Sequence, residues 1–140
     1  MTHPKTLLIV DDAITNIRVL NGILESTYQI CAATSGEEAL ELAAAVQMDL
    51  VLLDANMPDM DGYAVLEQLR ANPRCAQWAV IMVTGDDSSA SELRALTAGA
   101  CDFIAKPVNP SLLKIKIERQ LAIQGLNREL ERLRKSLATQ

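Results

Sequence analysis

The most constraining feature of this sequence is where its apolar runs stop. Thr6–Val10 breaks off at Asp11-Asp12, Asp49–Leu53 at Asp54, Trp78–Val83 at Thr84-Gly85 and Cys101–Ala105 at Lys106-Pro107. Short runs that are apolar at nearly every position, rather than alternating, are what strands become when helices cover both faces of a parallel sheet. Between the runs the period changes. Ile14, Ile17, Val19, Leu20, Ile23 and Leu24 recur at helical spacing, and Tyr28–Ala33 reads as a further strand. Thr34-Ser35-Gly36-Glu37-Glu38 has the look of a helix start, with acids in the first turn, and Ala39–Val46 continues it. Ala55–Gly62 is a loop, and Tyr63–Arg70 is a helix that Asn72-Pro73 stops. Ser88–Thr97 is a helix with Gly99 past its end, and Pro110 opens the last helix as a first-turn residue. Five strands alternating with five helices predict an α/β fold with a mainly parallel sheet.

Composition narrows the function classes. At 140 residues and 49% hydrophobic, the chain can bury one domain's core, and with aromatics at 3% that core must be aliphatic. A net charge of −5 disfavours a broadly basic nucleic-acid surface and suits a protein that binds a cation. The apolar runs are strand-sized and end in charge, too short for a membrane span or a signal-peptide core. Cys31, Cys75 and Cys101 form neither a metal motif nor a disulfide framework. They read as reduced, mostly packing thiols of a cytoplasmic protein, and His3 reads as a solvated tail residue.

In a parallel sheet all C-terminal strand ends share one edge, which is where open α/β sheets bind ligands. That edge should gather Asp11, Asp12, Asp54, Thr84 and Lys106 into one shallow pocket. Three crowded carboxylates raise one another's pKa unless a cation sits among them. A hard ion such as Mg²⁺ or Mn²⁺ answers that need and leaves positions open for a phosphate. Lys106 adds a fixed positive charge and Thr84 a hydroxyl donor. A carboxylate in such a setting is a nucleophile for phosphoryl transfer, a reaction that depends mainly on positioning and charge neutralisation.

Asp11-Asp12, the run from Leu52 through Asp54, Pro58 and Gly62, Thr84-Gly85, and Gly99 through Phe103 to Lys106-Pro107 together closely resemble the receiver domain of two-component response regulators. The resemblance covers about residues 5–124, with ordinary spacing between motifs. It implies a flavodoxin-like, doubly wound sheet in the order 2-1-3-4-5. It further implies that Asp54 accepts a phosphoryl group from a histidine kinase or a histidine phosphotransfer protein. Asp12 and Asp54 would hold Mg²⁺ directly, Asp11 through water, with the Asn56 backbone carbonyl as another ligand. Lys106 would bind the phosphoryl group, Thr84 would hydrogen-bond it, and Phe103 would turn inward behind Thr84. Phe103 stands where many relatives have Tyr, so any output that reads a hydroxyl there is lost.

Two other functions fit parts of the pattern. A haloacid-dehalogenase-like phosphatase also uses an aspartate nucleophile, but its signature resembles Asp-x-Asp-x-Thr, whereas Ala55-Asn56-Met57-Pro58 follows Asp54 here. A phosphorylation-independent dimerisation module would leave the acidic set without purpose. A calcium loop aligned on Gly62 fails, because Met57 and Gln68 stand where acids are needed.

The last helix is longer than a bare receiver needs. Leu112, Leu113, Ile115, Ile117 and Leu121 should cover the sheet. Beyond them Ile123, Leu126, Leu130, Leu133 and Leu137 alternate by three and four, the seam of a coiled coil. Residues 125–140 therefore read as a helical stalk that makes a homodimer, with Gly125 as a candidate break. Such helices resemble those of receivers joined to cyclic-di-nucleotide output domains, and no output enzyme domain lies within these residues.

Overall fold

The computed structural model describes residues 4–139, so His3 lies outside the described residues. The elements run β1 (Thr6–Val10), α1 (Ile14–Leu24), β2 (Gln29–Ala33), α2 (Gly36–Ala45), β3 (Leu50–Asp54), α3 (Gly62–Ala71), β4 (Ala79–Thr84), α4 (Ser89–Thr97), β5 (Asp102–Ala105) and α5 (Pro110–Ala138). The strands form one parallel sheet in the order β2-β1-β3-β4-β5, the flavodoxin-like doubly wound arrangement.

Strand residues alternate between two buried layers, as the two-residue period demands. Leu8, Val10, Val51, Leu53, Val80 and Met82 pack with Ala39, Ala43, Val65, Leu66 and Ala95 under α2, α3 and α4. Leu7, Ile9, Leu50, Leu52, Ile81 and Val83 pack with Leu20, Leu24, Leu113 and Ile117 under α1 and α5. With both faces covered, β3 and β4 are buried from end to end.

The helices start where their caps are. The side chains of Ser35, Asp61, Ser88 and Asn109 each accept a backbone N–H from the first turn of α2, α3, α4 and α5. Trp78, expected to open β4, stands one residue before it and is buried. Its backbone N–H closes a turn on the Cys75 carbonyl. Arg70 fastens the end of α3 by donating to the carbonyls of Ala76, Trp78 and Gly99. Gly99 takes a positive φ of 110°, which suits glycine at that turn.

Helix α5 answers one open point and corrects one expectation. It runs unbroken through Gly125 for 29 residues, about 43 Å. The residues before Gly125 are docked on the body, which already supplies the helical nucleus, so one glycine does not end it. Its buried stripe is also narrower than expected. Leu113, Ile117, Gln120 and Gln124 are buried, Leu121 is partly so, and Leu112 and Ile115 are exposed because they fall on the other side of the helix. Gln124 donates to the carbonyls of Asp49 (2.9 Å) and Gln77 (3.1 Å), and Arg128 lies 3.5 Å from the Asp49 carboxylate. These contacts tie the middle of α5 to the end of the sheet away from the acidic cluster. Of the cysteines, Cys75 is buried, Cys31 half-buried and Cys101 exposed, so only the first two pack as expected. Among the described residues no helix is long and apolar enough to cross a membrane.

Candidate metal centre

Register brings the acids together. Val10 pairs with Leu53, Leu53 with Met82, and Met82 with Phe103, forming one row across four strands. One step further along, Asp11 leaves β1 beside Asp54 at the end of β3. The next residues put Asp12 nearby, and Thr84 at the end of β4 pairs with Ala105, immediately before Lys106. Parallel pairing thus does what the sequence spacing hides.

Carboxylate oxygens of Asp11, Asp12 and Asp54 all lie within 4.8 Å of one another. Asp11 and Asp54 are buried and Asp12 is exposed. The Lys106 ammonium reaches both buried acids, at 3.3 Å from Asp54 Oδ1 and 3.5 Å from Asp11 Oδ2. Each acid is also oriented from the backbone: the Ala13 N–H donates to Asp11 Oδ1 at 2.9 Å, and the Asn56 N–H to Asp54 Oδ1 at 3.2 Å. Burial pushes the Asp54 carboxyl above its usual range. The Asp11 charge adds to the rise, and the Asn56 N–H and Lys106 oppose it without cancelling it. Two buried acids and one exposed acid, with a single ammonium between them, hold an excess of negative charge on hard oxygen donors. The cluster is positioned to chelate a divalent cation such as Mg²⁺.

Next to the cluster, reached through Asn56 after β3 and Thr84 at the end of β4, is a cleft of about 350 Å³ bordered also by Tyr63, Asp86, Ser91 and Arg94. Thr84 is buried, and its Oγ1 accepts the Asp86 N–H at 3.1 Å. The Arg94 guanidinium lies 3.8 Å above the Tyr63 ring and ties α4 to α3 across the cleft. Phe103 is half-buried on the edge strand, with the Lys116 ammonium 5.3 Å from its ring.

A model of the response regulator receiver domain matches residues 7–118. The chain belongs to that family. As a receiver it is 42% identical over 116 residues to a Vibrio cholerae protein named a probable cyclic di-GMP phosphodiesterase, covering 83% of this chain and 26% of that one. It is 34% identical over 112 residues to the response regulator PleD of Caulobacter vibrioides, covering 79% and 25% respectively. The chain thus spans about a quarter of the length of these curated relatives. The solved structure of a CheY-like response regulator receiver domain protein from Methanospirillum hungatei superposes with a TM-score of 0.82 at 34% identity. That match covers 89% of this chain and 99% of that one. Receivers act on their own aspartate, so this is a signalling module with a magnesium-dependent phosphoaspartate switch rather than a standalone enzyme. The membership displaces the phosphatase alternative.

The structure adds supporting residues that the sequence did not point to. Asn16, in the first turn of α1, donates to Asp11 Oδ2 at 3.1 Å and holds the buried acid. In the sequence Gly62 is a loop end and the last residue of the run that carries the resemblance, with no role of its own. A side chain there would drive its Cβ into the Asp54 carbonyl oxygen, so glycine lets α3 start directly against the backbone that carries Asp54. Its place in the run from Leu52 to Gly62 was the available signal.

Proposed function

We propose that Asp54 accepts a phosphoryl group from the phosphohistidine of a sensor kinase or a histidine phosphotransfer protein in the cytoplasm. The observation that carries this reading is the buried Asp54 carboxylate with Lys106 at 3.3 Å and two further acids beside it. One Asp54 oxygen forms the new bond to phosphorus. The bond from phosphorus to the donor's imidazole nitrogen breaks, and the imidazole leaves with that electron pair. Asp12 and Asp54 would hold Mg²⁺ directly, Asp11 through water, and the Asn56 carbonyl would complete the protein's share. When bound, the ion neutralises the acids and the incoming phosphoryl oxygens. Lys106 holds the charge of the transferred group, and the Thr84 hydroxyl donates to it. The Thr84 oxygen that accepts the Asp86 N–H still has its hydrogen to donate; Thr84 shifts inward to deliver it, and Phe103 swings inward behind it.

Residues 5–124 form the receiver in this reading, and residues 125–140 form a stalk that joins two copies. Five exposed apolar residues on the distal half of α5 support the stalk. Phosphorylation then alters self-association or the binding of a partner through the α4–β5 surface next to Thr84 and Phe103.

The test uses acetyl phosphate with Mg²⁺, and separately beryllofluoride. The expected result is a mass gain of one phosphoryl group on the protein and a Mg²⁺-dependent spectral change, both absent in Asp54→Ala. No modification, or modification that survives Asp54→Ala, overturns the assignment. A dimer that forms identically with and without beryllofluoride would favour the phosphorylation-independent module.

A further inference from the structure

We propose that the distal half of α5 pairs with the same segment of a second copy as a parallel, in-register two-stranded coil, with Glu129 of each chain meeting Arg134 of the other. This rests on the stalk reading above and names the geometry of its partner.

Ile123, Leu126, Leu130, Leu133 and Leu137 are between 43% and 71% exposed, and they form one continuous stripe on a helix that the body has already nucleated. At roughly 100° per residue, the stripe lies roughly 130° around the helix from the line through Leu113, Ile117, Gln120 and Gln124 that faces the body. The receiver therefore does not cover it, and a second helix can lie along it with both bodies pointing outward. The clamp of Gln124 on Asp49 and Gln77 fixes that rotation.

Spacing assigns Ile123, Leu130 and Leu137 to one set of core positions and Leu126 and Leu133 to the other. Only Ile123 of the first set is β-branched, and Leu130 and Leu137 match the leucines of the second, so the orientation is argued from the flanking charges rather than from the core. Five residues flank the core along this stretch: Ala122, Glu129 and Ser136 on one side, Asn127 and Arg134 on the other. In a parallel coil each side faces the opposite side of the other chain, which brings Glu129 to the second copy's Arg134 twice per dimer. In an antiparallel coil each side faces its own kind. Glu129 then meets Glu129, Ala122 or Ser136, Arg134 meets Arg134 or Asn127, and no opposite charges meet. Within one helix Glu129 pairs with Arg132, and Arg134 with Glu131, so both charges are already held at the helix surface.

Full-length chains carrying Cys101→Ser with either Leu126→Cys or Leu137→Cys are mixed and mildly oxidised, with and without beryllofluoride. The expected products are disulfides between identical positions only. In an antiparallel coil that sets Leu126 against Leu137, identical Leu137 positions lie roughly 16 Å apart along the axis, beyond disulfide reach. Mixed crosslinks between positions 126 and 137, or a dimer without either crosslink, overturn the parallel arrangement and leave the dimer itself intact. A chain that sediments as a monomer at high concentration in both states removes the dimer as well. Glu129→Arg or Arg134→Glu alone should weaken self-association about five- to tenfold, and the double swap should restore it to within about twofold. Because the double swap leaves both intrahelical pairs broken, recovery can come only from contact between chains. Failure to recover overturns the proposed charge pairing.

Discussion

Asp54→Asn keeps the acceptor's shape and its hydrogen bond from Asn56 while deleting its charge, so it isolates what the buried carboxylate does to stability. At an effective dielectric near 20, the Asp11 charge within 4.8 Å repels Asp54 by at least about 3.5 kcal/mol. The exposed Asp12 adds a screened fraction of that. Lys106 at 3.3 Å attracts Asp54 by about 5 kcal/mol on the same scale. These contributions nearly cancel. What remains is the cost of keeping the charge out of water, the largest cause of the raised Asp54 pKa. Without metal at neutral pH, Asp54→Asn should therefore stabilise the fold by about 1–2 kcal/mol. For a chain this long, that is an increase in Tm of about 3–7 °C.

The pH dependence has a definite sign. A carboxyl whose folded pKa is raised costs nothing below its unfolded value, costs progressively more as pH rises from there to the folded value, and costs a constant amount above it. The advantage of Asp54→Asn should thus vanish in acid and grow towards neutrality. Mg²⁺ at about 100 times its Kd stabilises the native protein by about 2.7 kcal/mol, and it should do much less for the variant, which has lost a ligand. The two proteins should exchange rank when metal is added. Differential scanning calorimetry with EDTA and then with Mg²⁺ tests this. A metal-free Tm below the parent's, or equal Mg²⁺ shifts in both, would refute the reasoning.

Three substitutions test the surrounding structure. Gly62→Ala should destabilise by about 2 kcal/mol or more in urea unfolding, because its Cβ has nowhere to go beside the Asp54 carbonyl, and it should slow labelling by acetyl phosphate. Gly125→Ala meets nothing within 4 Å inside a continuous helix, so it should add about 0.5–1 kcal/mol of stability in the same assay. A loss instead would mean that the helix breaks there in solution. Gln124→Ala removes the donor from the Gln77 carbonyl and leaves the Asp49 carbonyl with only the Ala79 N–H at 3.4 Å; it should cost about 1–3 kcal/mol and speed hydrogen exchange along residues 125–138. Unchanged exchange would show that the clamp does not hold α5.

The strands and most helices were legible because burial on both faces leaves a contiguous apolar run, and because each run stops at a polar residue. The sheet edge that collects Asp11, Asp54, Thr84 and Lys106 followed from parallel pairing alone. Other features had no local signal. Which of Asp11 and Asp12 is buried depends on which side of the row Val10–Leu53 the chain turns, and the pattern is silent on it. Asn16 and Gln124 are polar residues on helices, and only their distant partners give them a role. The sequence weights Gly125 as a helix breaker, but it cannot weigh the docked half-helix that carries α5 past it. Leu112 and Ile115 fit an apolar tally, yet the sheet accepts only one narrow line of α5.

The strand that delivers Lys106 is the last of the five in chain order and one of the two edges of the sheet. A nascent chain already holds its three acids when β3 docks, but it lacks their counter-charge until residue 106 has left the ribosome and β5 has zipped on. The ammonium that faces Asp11 and Asp54 therefore joins them only through the last of the five strands, and the charge balance of the cluster is a property of the completed sheet.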